Sequence, residues 1–232
     1  MRFTALALMV AAFTAPAFAG DNELSPEEQA EGWILLFNGK DLDNWMTNRE
    51  KPSRTEVENG MFNTRKCGGY LLMPKDLYSD YVLKFDYKPA PGANSGVFLR
   101  QFPLDPPDGL MIYECGIEVQ ILDDLETPMH DTGSVYDLVP ASLDARDPDS
   151  EWEHMEITAD GPNITVVVNG QQTATINLDE FTEKRMRPDG TEHKFNVAFA
   201  EHPRKGYIGF QDHGDDVWFK NVKLKPLNTE TD

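Results

Sequence analysis

The 232-residue chain is poor in cysteine, in positive charge and in long apolar runs. It has two cysteines, Cys67 and Cys115, with no C-x-x-C spacing and no cluster that reads as a zinc or redox site. An exported chain could form a bridge between them, but each sits beside a glycine in a separate strand-like stretch, so sequence does not decide the pairing. Lys and Arg total 21 against 40 Asp and Glu, a formal charge of −19. A field of that sign repels nucleic acid and anionic lipid, and it favours neutral or cationic partners. The only sizeable apolar run lies at the N-terminus, from Ala5 to Phe13, and is too short to span a bilayer. It follows Arg2 and precedes Ala17-Phe18-Ala19, the order of a secretory signal peptide cleaved after Ala19. The mature protein is therefore expected to be exported, periplasmic or secreted, without a membrane span. Cleavage removes one of the 21 basic residues, leaving 20 against 40 and a charge of −20. Also missing are G-x-S-x-G, H-E-x-x-H, a phosphate-binding glycine loop and a dinucleotide fingerprint.

What remains is a chain of short alternating segments. Ser25-Pro26-Glu27-Glu28 has the order of a capping box and predicts one short helix that cannot pass Gly32. Strands are predicted over 33–37, 55–58, 61–64, 70–73, 81–88, 95–102, 112–122, 153–158, 164–169, 172–177, 206–211 and 217–225. Asn38-Gly39, Asn59-Gly60, Pro91-Gly92, Asp160-Gly161-Pro162 and Asn169-Gly170 supply turns between many of them. Many short strands with close turns and almost no helix predict an all-β, antiparallel sandwich. The divisions expected are a signal peptide over 1–19, a linker and short helix over 20–32, one sandwich domain over 33–227 and a tail over 228–232. Three irregular stretches, 103–110, 123–149 and 182–204, are the loops in which function is expected to concentrate.

Two strands carry an unusual polar set. Residues 94–100 read N-S-G-V-F-L-R and residues 116–124 read G-I-E-V-Q-I-L-D-D. Alternation puts Ile117, Val119 and Ile121 on one face and Glu118 and Gln120 on the other. The same parity puts Arg100 opposite Val97 and Leu99, and Gln211 and His213 opposite Ile208 and Phe210. All five polar residues are then expected on one face, a set suited to a polar substrate.

These segments carry a resemblance. W-I-L-L-F-N-G-K-D-L-D-N-W at 33–45 resembles the opening of the 3-keto-disaccharide hydrolase family. The two strand motifs, G-S-V-Y-D-L at 133–138, Glu151-Trp152, G-Y-I-G-F-Q-D-H-G at 206–214 and V-W-F-K-N-V at 217–222 follow in the family's order. The resemblance covers roughly the whole mature domain. It implies a concanavalin-like jelly roll that acts on glycosides already oxidised to a ketone at C3. The family usually has Asn after Glu-Trp, where this chain has Glu153 and then His154.

The implied reaction removes the acidic hydrogen at C2, develops an enediolate and expels the C1 substituent. It needs a base poised near neutral pH and donors for the oxyanion. Glu118 is the first candidate for acid/base work, the alternative being a structural partner of Arg100. Arg100 is the candidate oxyanion donor and His213 the alternative base. Gln120 and Gln211 suit sugar hydroxyls. Asp123, His130 and Tyr136 lie in the long loop and are candidates for substrate contact; solvated loop residues are the plain alternative. Trp45 is a candidate for stacking on a sugar, although all four tryptophans fit packing better. No cofactor is required by this scheme, and Asp123-Asp124 leaves room for a structural calcium ion. The competing classes are a lectin-like binding module and a two-carboxylate glycosidase, the latter needing Asp123, Asp86 or Glu201 near Glu118.

Overall fold

Asn-Gly turns close two of the hairpins. Asn59 and Gly60 have φ of 51° and 74°, and Asn169 and Gly170 have 48° and 76°, so both residues of each turn take the left-handed conformation that a tight hairpin demands. In the computed structural model, which describes residues 20–227, these turns join antiparallel strands throughout. The expected signal peptide and the C-terminal tail lie outside the described residues. The helix α1 (Pro26–Ala30) begins as expected, with the Ser25 hydroxyl accepting from the Glu28 N–H and the Glu28 carboxylate accepting from the Ser25 N–H.

Eight strands form one sheet. Its path runs β11 (Gln171–Asn177), β10 (Asn163–Val168), β9 (Glu153–Asp160), β6 (Tyr81–Pro89), β13 (Val217–Pro226), β4 (Met61–Asn63) and β3 (Val57–Glu58). The remaining strand, β1 (Ile34–Leu35), pairs with the end of β13. Five strands form the other sheet, in the order β2 (Trp45–Thr47), β5 (Leu71–Pro74), β12 (Tyr207–Gln211), β7 (Asn94–Gln101) and β8 (Ile117–Leu122). The two antiparallel sheets with a single short helix make a concanavalin-like jelly-roll sandwich. Strand β2 was not expected, because Trp45 alone in a turn-rich stretch gives no alternation. The expected strand over 112–122 starts late, since Ile112–Glu114 is a 3-10 turn.

The core lies between the sheets. Leu83, Phe85, Met155, Ile157 and Phe219 meet Val97, Leu99, Ile117, Val119 and Phe210 there, all buried. Trp45 belongs to this core and not to a sugar platform. Its ring lies 5.0 Å from Phe62 and 5.6 Å from Phe210, and its indole N–H donates to the Leu36 carbonyl at 2.9 Å. Cys67 and Cys115 are separate buried thiols and form no bridge.

The segment before β1 is stitched down. Asn22 and Asn221 exchange side-chain to backbone hydrogen bonds at 2.6 and 2.9 Å, and the Asn22 amide also donates to the Gly60 carbonyl. Lys220, Lys223 and Lys225 of β13 pair with Asp21, Glu28 and Glu31. The residues expected to be a linker therefore strap the outer side of the larger sheet.

Arg100 departs from strand parity. Its φ is +51°, and the β7–β12 register shifts beside it, between Tyr207 and Gly209. A left-handed residue inside a strand rotates its side chain off the alternating pattern. The guanidinium is fully buried and donates to the Ser79 carbonyl at 3.1 Å, the Gly161 carbonyl at 2.7 Å and the Asp80 carboxylate at 3.0 Å. It ties β7 to the start of β6 and to the β9–β10 turn, so it neither faces the Glu118 side of the sheet nor partners Glu118. Removing one member of a buried pair leaves the other uncompensated, at a cost of about 3–5 kcal/mol. Arg100→Met is expected to lose stability of that order in urea denaturation. The folded fraction should keep its ligand-binding or catalytic constants, and a selective loss of activity in a stable variant would return Arg100 to the site.

Candidate functional site

The outer face of the five-stranded sheet carries a second, small apolar cluster of Leu71, Met73 and Phe98, with Tyr70, Tyr113 and Tyr207 packed against it. Glu118 stands among them. It pairs directly across from Phe98 in the β7–β8 register, and Gly96 lies two residues along β7 on the same face. A Cβ at Gly96 would come 2.6 Å from the Glu118 Oε1, so only glycine leaves the carboxyl its place. The glycine of the N-S-G-V-F-L-R motif is therefore required for space rather than for backbone freedom.

The free edge of β8 is covered by the loop that follows it. Gly133 donates to the Gln120 carbonyl and Gln120 to the Ser134 carbonyl, while the Tyr136 N–H donates to the Glu118 carbonyl at 2.9 Å. This short added rung brings Tyr136 beside Glu118. His130 stacks on the Tyr136 ring at 4.6 Å and has Glu126 and Asp137 at 3.5 and 3.8 Å from its ring nitrogens. Asp137 accepts from the Lys194 backbone N–H at 2.8 Å and from Arg187 at 2.9 Å. That clasp directs Lys194 over the site, with its ammonium 4.1 Å from the centre of Tyr136 and 5.4 Å from that of Tyr113.

Burial pushes the Glu118 carboxyl up to about 8, while the Lys194 charge and a hydrogen bond from Gln211 pull it partway back. The residue is nevertheless partly accessible, so a reactant can reach it. Lys194 is itself lowered by desolvation, against the attraction of Glu118, Asp137 and Glu114. The Gln211 amide donates to the Tyr70 hydroxyl at 2.6 Å, and the Gln120 amide donates to Asn94 at 3.2 Å. Each glutamine leaves a buried carbonyl oxygen without a hydrogen-bond partner among the described residues. Burial and the nearby Glu118 hold the Tyr70 hydroxyl protonated, above the usual phenol range.

The structure gathers Glu118, Gln120, Gln211, Tyr136 and His130 as the sequence suggested, and leaves three other candidates aside. Arg100 is inside the fold for the backbone reason given above. His213 is exposed in the turn after β12, past the end of the strand whose alternation had placed it, and no contact ties it to Glu118. Asp123 clasps the β6–β7 turn, accepting from the Gly92 N–H at 2.8 Å. Asp86 pairs with His154 at 2.8 Å on the larger sheet, and the charged group that acts on Glu118 is Lys194 rather than a carboxylate. Glu153, at the family's Asn position, accepts from the Asp147 N–H and from Asn169, and so serves loop structure. Among the described residues no group of three or more His, Cys, Asp or Glu is placed to hold a metal ion, the Asp123-Asp124 pair included. Sequence reasoning missed Lys194, Tyr70 and Tyr113. Lys194 lies in the irregular 182–204 stretch, where no periodicity assigns a face. Tyr70 precedes β5 and Tyr113 sits in the 3-10 turn, so the parity of the expected strands 70–73 and 112–122, which included them, did not apply to either.

A glutamic acid with a raised folded-state value binds its proton more tightly folded than unfolded. The stability that this contributes is present at low pH and is lost as pH rises from about 4.5 to about 8. Glu118→Gln mimics the neutral acid and is expected to melt above the parent, with a gap that opens across that window. Thermal melts at pH 5, 7 and 9 check it; a gap that narrows with pH would show that the carboxyl is not held in its neutral form.

The comparisons with known proteins agree with this architecture. The 3-keto-alpha-glucoside-1,2-lyase-like domain family matches residues 32–225. A 3-keto-disaccharide hydrolase of Bacteroides thetaiotaomicron is 26% identical over an alignment 231 positions long that covers 86% of this chain and 80% of that protein. Two Parabacteroides distasonis crystal structures carry the provisional description of glycosyl hydrolase. One is 30% identical with a TM-score of 0.71, over 84% of this chain and 99% of that one. The other is 26% identical with a TM-score of 0.73, over 90% and 100%. The family match spans nearly every described residue, including each strand of both sheets, and the chain belongs to the 3-keto-alpha-glucoside-1,2-lyase-like family.

Proposed function

We propose that this protein cleaves 3-keto-glycosides by proton abstraction at C2 and elimination at C1, with Glu118 as the base. The observation that carries this reading is one carboxyl, raised to about 8, beside a lysine on the face built by the family's strand motifs. A ketone at C3 acidifies the C2 hydrogen. The Glu118 carboxylate takes that proton, and negative charge develops on the C3 oxygen. Lys194 and the donors around it stabilise that charge, the task first given to Arg100. The former C–H pair then becomes the C1=C2 bond, the C1–O bond breaks, and the leaving oxygen takes a proton. Addition of water across the new double bond would complete a hydrolysis, and its absence would leave a lyase product.

Tyr136, its ring held between His130 and Lys194, offers its hydroxyl edge rather than a ring face to the sugar. A base near 8 is matched to abstraction around neutral pH, because it combines basicity with a usable ionised fraction. The charged N-terminus and its short apolar run support export of the mature enzyme. Mass spectrometry of the purified protein should then find Gly20 as the first residue, and an intact Met1 after expression in an exporting host would refute that part.

Incubation with a 3-keto-glucoside and with its unoxidised parent tests the reaction. Release of the leaving group is expected from the keto compound alone. Glu118→Gln should lower kcat by about 10²–10⁴-fold while substrate still binds. The wild-type kcat/KM should rise with pH and level off above about 8, and that limb should vanish in the variant. Unchanged turnover in Glu118→Gln would remove the glutamate from the mechanism. Binding without turnover in the wild type would make the protein a lectin-like module. Because Lys194 supplies the positive charge, exhaustive chelation should leave the rate mostly intact. Loss of activity that a single divalent ion restores would assign the enediolate to a metal.

A further inference from the structure

A cleft of about 600 Å³ lies next to the Glu118 face, and the chemistry above makes no use of it. Phe102, Pro103, Leu110, Val197 and Pro203 give it an apolar lining. The cleft and the face share a wall. In the 3-10 turn Ile112–Glu114, Tyr113 packs against the outer-face cluster beneath Lys194, while its neighbour Glu114 lines the cleft. On the facing segment of the wall, which is irregular, Lys194 points over the site, and Asn196, Val197 and Ala198 line the cleft. The turn and the segment are locked together by the Glu114 carboxylate, which accepts from the Asn196 N–H at 2.7 Å and from its side-chain amide at 3.2 Å. Lys194 is attracted by Glu118 on the reacting face and by Glu114 on the cleft wall.

We propose that this cleft receives the leaving group of the glycoside, and that the group it fits is aryl rather than a second sugar. The proposal rests on the 3-keto-glycoside reading. A second sugar would need several free donors and acceptors. Inside the cleft these are already engaged: Glu114 and Asn196 with each other, and the His202 Nε2 with the Arg100 carbonyl at 3.0 Å. The other charged groups, Asp108, Lys184 and Glu201, are exposed at the rim, where water satisfies them. Phe102 is 47% exposed at the mouth, a large ring with no cover that a flat apolar group would bury.

The test compares phenyl and methyl 3-keto-glucosides. Phenol leaves more readily whatever the binding, so the readout is how each variant changes the ratio of kcat/KM for the two substrates. Ala198→Trp should fill the cleft and cut kcat/KM for the phenyl compound about tenfold, from the apolar area no longer buried. The methyl compound should stay within about twofold, as expected for a change that leaves transition-state contacts intact. Phe102→Ala should raise KM for the phenyl compound several-fold and leave the methyl compound alone. If both variants melt like the parent and move the two substrates together, or move neither, the cleft is not the leaving-group site. If the wild type turns over neither compound, the reaction proposed above fails, and the cleft is judged by calorimetric titration with phenol. Saturable phenol binding that Ala198→Trp abolishes would then support an aryl site, and no binding to the wild type would overturn it.

Discussion

Strand register between β7 and β8 governs the site. Phe98 faces Glu118, Gly96 faces Gln120, and the space over Gly96 receives the Glu118 carboxyl. A slip of one residue would carry Ile117, Val119 and Ile121 out of the core and turn Glu118 and Gln120 into it. The burial of those three aliphatic side chains between two sheets is what forbids the slip, so the position of one carboxyl is guaranteed by hydrophobic packing on the opposite face. The loop over 133–139 adds a rung to the outer edge of the same strand and brings Tyr136 and, through Asp137, Lys194 to it.

The charges in the fold divide by environment. Arg100 sits where water does not reach, and a carboxylate and two carbonyls meet its donors there. Lys194 stays open to solvent, held at the backbone by Asp137 and with its ammonium over aromatic rings. A cation that must respond to charge appearing on a substrate cannot already be saturated by protein acceptors. Each nitrogen of Arg100 already donates to a protein acceptor in the interior, which is why it serves structure. Lys194 meets Glu118 only through a longer-range attraction and keeps capacity for a new partner.

Much of the architecture was readable in the chain because alternation and Asn-Gly turns are local. The capping box at Ser25, twelve of the strands and the inward face of β8 follow from residues a few positions apart. What failed was also local in origin. Arg100 looks like any strand residue in sequence, and only its left-handed φ, imposed by the shifted register against β12, sends it the other way. His213 inherited a strand's parity although the strand had ended at Gln211. Lys194 was invisible for the opposite reason. Its place depends on an acceptor 57 residues away in another loop, and no spacing along the chain encodes that meeting.

The two thiols bear on how the chain can be made. Burial raises the Cys67 thiol to about 11 and lifts Cys115 as well, so neither offers much thiolate near neutral pH. They stand in different parts of the core and form no covalent link. The fold therefore carries no oxidative step. No cross-link holds the described fold together, so its stability should be the same in reducing and in oxidising buffer.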